Sequence, residues 1–205
     1  MAKIAVLYSG VIFQDMEFKK EKYKNVVDMI PIYDLPNVSL DSYIALVVPR
    51  ISDEEYLFKE KEIIEGFLNQ GKIICSFVQN FRKWLPGNKL WRRTDLNLKE
   101  HRVTYKREHP IFAGVDEYDL NFKEEVAGFF YRGTIDPPSK AEVVLEDHRG
   151  YTIMYIDRNS TKGTIVSTAG ADLFGYAGST PSTAQKIGPQ LLQWLEDEYE
   201  DINRR

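Results

Sequence analysis

A chain of 205 residues, 43% hydrophobic and 28% charged, has the balance of a soluble globular protein and enough length for one substantial core. Its net charge of −4 argues against wholesale coating of nucleic acid, and its single cysteine excludes an intrachain disulfide. No apolar run approaches the roughly 20 residues that span a bilayer, and the apolar part of Met1 to Tyr8 is too short for a signal peptide, so a cytoplasmic protein is expected.

Lys3 to Tyr8 reads as a fully buried first strand, ending at the turn signal Ser9-Gly10. From Val11 to Asn25 the pattern is ambiguous: Tyr23, Val26, Val27 and Ile30 have helical spacing, while a strand beginning near Val27 claims the same residues. Met29 to Tyr33 is expected as a short edge strand, because Pro31 cannot donate to a ladder, and Asp34 to Ser39 as loop. Tyr43 to Val48 is the clearest strand, stopped by Pro49-Arg50. Ser52-Asp-Glu-Glu55 is a capping-box pattern with Ser52 as N-cap. It predicts a helix to about Gln70, with Leu57, Ile64, Phe67 and Leu68 on the inner face and Gly71 stopping it. Lys72 to Val78 follows as a strand. Strand, helix and strand with short connections imply parallel pairing through a right-handed crossover.

The stretch 82–108 changes composition, with nine basic residues against three acidic ones and Trp84 and Trp91 among them. Such a stretch suits a solvated face, or contact with phosphate, nucleotide or a stacked single strand. Gly128 to Tyr131, Ala141 to Glu146 and Tyr151 to Asp157 read as strands, the last two as a hairpin around Arg149-Gly150. Gly163 to Thr168 is a final buried strand, closed by Ala169 to Asp172. Thr180-Pro181 supplies an N-cap and a first-turn proline. Ile187, Leu191, Trp194 and Leu195 then mark the inner face of a terminal helix that could kink at Gly188-Pro189, and Glu196 to Asp201 reads as a solvated acidic end.

Three segments stand in an order and at spacings that carry a resemblance: Leu40 to Pro49, His109-Pro-Ile-Phe-Ala-Gly-Val115, and Gly163-Thr-Ile-Val-Ser-Thr-Ala-Gly170. Together they resemble class I glutamine amidotransferase-like domains, and the second is similar to the His-Pro-Ile turn of the ThuA-like branch. The resemblance spans about residues 3–195. It implies a single domain over 1–205 with a flavodoxin-like, doubly wound, mostly parallel α/β sheet, helices on both faces and a site at the C-terminal strand ends. Enzymes of that superfamily mount a cysteine in a Gly-Lys-Pro-Val-Leu-Gly-Ile-Cys-Leu-Gly run. Laid without gaps on Gly71 to Asn80, that run puts Ser76 and Asn80 at its inner and outer glycines and Val78 at the nucleophile. Valine cannot attack, and a β-branched residue fits an elbow backbone poorly. Ala169 to Phe174 holds no histidine, and Pro49-Arg50 replaces the family's glycine pair. The resemblance therefore implies a triad-less domain without amidotransferase activity.

Individual residues leave alternatives open. Cys75 is either a displaced nucleophile or a small buried hydrophobe. His109 is either an acid–base group or a ring bonded to local backbone. His101 and His148 have no partner at ligand spacing, so no metal and no cofactor are expected. Ser9, Gly10, Arg50, Gln79, Asn80 and Asp172 fall just past strand ends. They are ordinary loop polarity, or a pocket in which Arg50 holds an anionic group while Gln79, Asn80 and Asp172 fix orientation.

Three functions remain. The first is a domain that binds a small polar or anionic ligand, or a protein partner including its own copy. The second is a hydrolase with a rearranged Cys75, His109 or Asp172. The third is a scaffold whose basic face meets an acidic partner or nucleic acid. The first is the expectation, with neither nucleic acid nor membrane as partner.

Overall fold

The apolar runs become the centre of one sheet. In the computed structural model, which describes residues 3–123, 125–128, 130–176 and 181–204, the chain begins with β1 (Lys3–Tyr8), α1 (Ile12–Phe18), β2 (Val27–Pro31) and β3 (Tyr43–Val48). It continues with α2 (Glu54–Lys59), α3 (Lys61–Asn69), β4 (Ile73–Ser76), and the short β5 (Arg92–Arg93) and β6 (Val103–Tyr105). After these come α4 (Glu117–Asn121), β7 (Phe122–Lys123), β8 (Val126–Ala127) and β9 (Gly133–Thr134). The chain closes with β10 (Glu142–Asp147), β11 (Thr152–Asp157), β12 (Thr164–Thr168) and α5 (Ile187–Arg204).

Eight strands pair in the order β2-β1-β3-β4-β12-β11-β10-β6. The pairs from β2 through β12 are parallel. Those from β12 through β6 are antiparallel. The parallel strands are covered on both faces, which is why β4 is buried at every residue and reads as a continuous apolar run. From β1 the chain moves outward to β2, and from β3 it moves the other way to β4. Right-handed crossovers then place α1 on one face and α2 with α3 on the other. The reversal between β1 and β3 is a topological switch point, so a crevice opens at the C-terminal ends of those strands. This is the flavodoxin-like α/β architecture.

Several boundaries differ from the sequence reading. β2 starts at Val27, which pairs with Ile4, and ends at Pro31, where no further ladder N–H is needed; Ile32–Asn37 is a 3-10 helix. Tyr23 takes no part in a helix and packs edge-on against Phe174, ring centroids 5.5 Å apart. Asp53, not Ser52, caps α2: its carboxylate accepts from Tyr56 N at 3.0 Å, and the predicted single helix breaks at Glu60. β4 is shorter than Lys72 to Val78. The Lys72 ammonium is drawn inward and donates to the carbonyls of Leu40 (2.7 Å) and Asp41 (2.9 Å). Gly128, Phe130 and Tyr131 are not in a strand, and Phe129 between them lies outside the described residues. Thr180 also lies outside them. The observed cap is Ser182, which accepts from Ala184 N at 3.1 Å. α5 runs unbroken through Gly188-Pro189, because a proline in the first turn removes no helical hydrogen bond.

Four of the nine basic residues in the basic stretch are tied down by ion pairs. Arg82 pairs with Glu55, Arg92 with Asp136, Lys106 with Glu146 and Arg107 with Glu142. Trp84 is buried and so cannot stack on a base, while Trp91 packs against Phe81 with centroids 5.4 Å apart. Among the described residues no helix is long and apolar enough to cross a membrane.

Candidate ligand cleft at the parallel strand ends

The site grows from the end of β3. Once the apolar strand stops at the buried Pro49, Ser52 Oγ donates to the Pro49 carbonyl at 2.8 Å and closes a tight turn. That turn forces Ile51 to φ +67, a conformation a β-branched residue adopts only under strain worth roughly 1–3 kcal/mol. The strained side chain is also 54% exposed, so its packing offsets only part of that cost. Arg50 beside it is exposed.

At the end of β4 the chain turns at Val78 and Gln79 and then enters the left-handed region at Asn80, φ +51. Asparagine tolerates that backbone. Its side chain points inward: Ser76 Oγ donates to Oδ1 and Nδ2 donates to Ser167 Oγ, both at 3.2 Å, so Asn80 ties β4 to β12. The backbone that follows faces a carboxylate. Glu54 Oε2 accepts from Arg82 N at 3.2 Å and from the Trp84 indole at 3.3 Å, and burial raises the Glu54 pKa. At the end of β12, Gly170 holds φ +102, and a Cβ there would press within 3.0 Å of Gln79. A glycine is needed at this point.

These ends enclose two adjoining clefts with Arg50 and Ile51 as their shared wall. The first, about 880 Å³, is bordered by Val78, Gln79, Gly170 and the segment Phe130–Arg132. The second, about 520 Å³, lies toward the switch point under α1, with Phe13, Met16, Glu17 and Asp172 along it. Neither cleft is lined by a histidine or a cysteine among the described residues.

Charge in the first cleft is unevenly satisfied. Glu54 is held by the loop, Glu55 pairs with Arg82, and Asp53 caps α2 and accepts from Tyr33 Oη at 2.9 Å. Arg50 and Arg132 have no carboxylate partner among the described residues; Arg132 Nη1 donates only to the Tyr131 carbonyl, at 2.9 Å. Burial lowers the Arg132 pKa, and the charge of Arg50 adds to that. In the second cleft Asp172 Oδ1 accepts from Phe174 N at 3.1 Å. Protein packed closely round the half-buried side chain pushes its pKa up to about 6, against the pull of its backbone hydrogen bonds and of Arg50.

The expected site residues therefore separate. Arg50 and Gln79 border the first cleft, and Arg50 and Asp172 the second. Ser9 and Gly10 follow β1 at the same sheet end but line neither cleft; Ser9 N donates to Gln14 Oε1 at 2.8 Å. Asn80 is turned into the sheet. Cys75 is fully buried between β3 and β12, and burial raises its thiol pKa. His109 borders a different cleft, beside Tyr105 and Phe112. Its Nδ1 accepts from Ile111 N at 3.3 Å, and burial pushes its pKa down to about 4. Asp172 lies near enough to Cys75 for its charge to add to the rise of the thiol pKa, but His109 is in another cleft, so the three do not form one set. The residues missed from sequence are Arg132 and Ile51. The strand reading of Gly128 to Tyr131 gave no reason to bring Arg132 to the cleft, and nothing marks an isoleucine as left-handed.

No protein-family model matches the sequence, and no curated protein matches it. Solved structures do match. The cytoplasmic protein STM1381 of Salmonella typhimurium LT2 aligns over 96% of this chain and 99% of its own, with TM-score 0.63 and 12% identity. The cytoplasmic protein STM3548 of Salmonella typhimurium aligns over 95% and 98%, with TM-score 0.57 and 11% identity. A glutamine amidotransferase of Thermotoga maritima aligns over 100% of this chain and 85% of its own, with TM-score 0.55 and 12% identity. At such identities the likeness is one of fold alone: the chain has a glutamine amidotransferase-like α/β fold.

Proposed function

We propose that this chain is a triad-less relative of the amidotransferase-like domains, near their ThuA-like branch, that binds a small anionic ligand in the first cleft. One observation carries the reading: every carboxylate lining that cleft is engaged within the protein, while Arg50 and Arg132 have no carboxylate partner among the described residues. Two guanidinium groups kept near each other without an acid are costly to the fold unless an anion joins them, and their planar forks suit carboxylate or phosphate. Gln79 supplies an orienting hydrogen bond at the floor. Val78 occupies the point where related enzymes carry a nucleophile, and among the described residues neither cleft is lined by a histidine or a cysteine. Anion binding, not amidotransferase chemistry, is therefore the assigned activity.

The test is a melting curve under increasing inorganic phosphate and acetate. The wild type should gain several degrees saturably. Arg50→Ala and Arg132→Ala should melt at or above the wild-type temperature without ligand, because the repulsion is relieved, and lose the ligand-dependent rise. Charge-assisted bonds of this kind correspond to roughly ten- to a hundredfold in affinity each. A rise that survives in both variants, or no rise in the wild type, contradicts the reading.

A further inference from the structure

Ile51 bears two costs at once. Its backbone is left-handed at φ +67, and its β-branched apolar side chain is 54% exposed. Glycine at this position would remove both. A residue that is strained and also solvated makes sense only if something outside the protein covers it. Its neighbours across the second cleft share the feature: Phe13 is 66% exposed and Met16 65%, both on α1 and both lining that cleft. Glu17, the acidic group beside them, is already paired with Lys20 and with Lys22. The three apolar side chains begin where Arg50 ends, because Arg50 and Ile51 border both clefts. This is also the switch point between β1 and β3, where the fold itself opens a crevice.

Resting on the anion-binding reading above, we infer that the ligand is an amphiphile: an anionic head between Arg50 and Arg132, and an apolar body that crosses Ile51 into the second cleft against Phe13 and Met16. The head fixes orientation and the body supplies affinity by burying those three side chains. The structure specifies a carboxylate or phosphate head equally well, so both belong in the test.

Isothermal titration with straight-chain carboxylates from acetate to octanoate, and with methyl to hexyl phosphate, measures the head and the body separately. Wild-type affinity should rise roughly two- to fourfold per added methylene, as a buried chain requires. In Phe13→Ser and Met16→Ser the rise should flatten while affinity for inorganic phosphate stays within about twofold, and in Ile51→Gly the rise should flatten as well. In Arg50→Ala affinity should fall for every member of both series. Ile51→Gly should also melt about 2–4 °C higher than wild type, because the strain is gone. If phosphate binds but chain length has no effect, the amphiphile is refuted and the anion site stands. If phosphate does not bind at all, the anion site itself fails. A lower melting temperature for Ile51→Gly would assign the side chain a structural role and overturn the inference. So would self-association in sedimentation velocity that Phe13→Ser abolishes, since the apolar face would then belong to a protein interface.

Discussion

Arg158 and Arg50 stand at opposite ends of the same sheet and use one functional group in opposite ways. Arg158 lies at the end where the parallel strands begin. Its guanidinium clamps Glu198 of α5 at 2.7 and 2.8 Å and Glu142 of β10 at 2.8 Å, while Thr164 Oγ1 also donates to Glu198 at 2.7 Å. Arg149, in the β10–β11 hairpin at the end where the parallel strands finish, is likewise held by Asp147 and Asp95. At that same end Arg50 and Arg132 border a cleft whose own acids are held by other partners. The difference shows how one sheet divides its labour. Arg158 spends its charge on cohesion, whereas Arg50 and Arg132, bordering the crevice the topology leaves open, keep theirs for a ligand.

The sharpest way to break the comparison is at Arg158. Glu198 is almost fully buried, so Arg158→Ala removes the guanidinium that faces a buried carboxylate. About 3 kcal/mol of stability should be lost, read from the urea midpoint at unchanged slope. Adding Glu198→Gln should recover part of that loss, because the buried negative charge disappears. A loss as small as that of an exposed surface pair, under about 1 kcal/mol, would put Arg158 in the same class as Arg50.

A smaller effect is expected at the open end and depends on pH. Folded Asp172 keeps its proton up to about pH 6, whereas the unfolded chain releases it near 4. Between those values the native state binds more protons, so this group's contribution to stability falls as pH rises through the window. Asp172→Asn keeps an acceptor for Phe174 N and removes that penalty. It should gain roughly 2 kcal/mol over wild type at pH 8 and nothing at pH 4. An equal gain at both values would mean that packing, not charge, is what Asp172 opposes.

Much of this was legible before the structure. The apolar runs of β1, β3 and β12 end in Ser9-Gly10, Pro49-Arg50 and Ala169–Asp172, and that alone placed the candidate site at one sheet end. Direction was not legible. Asn80 and Gln79 are adjacent polar residues, yet a left-handed backbone turns Asn80 into the sheet while Gln79 stays at the cleft. Glu198 was misread as part of a solvated acidic end although it continues the inner-face spacing of Leu191, Trp194 and Leu195; its charge hid its period. Arg132 depends on β9 pairing with β5, a two-residue ladder without a local pattern.

The division between these arginines can be read in a single titration. Side-chain Nε–Hε resonances of the arginines, followed as inorganic phosphate is added, report each guanidinium separately. The account predicts that Arg50 and Arg132 shift saturably and together, while Arg158 and Arg149 stay in place. Equal shifts at all four, or none at Arg50 and Arg132, would contradict it.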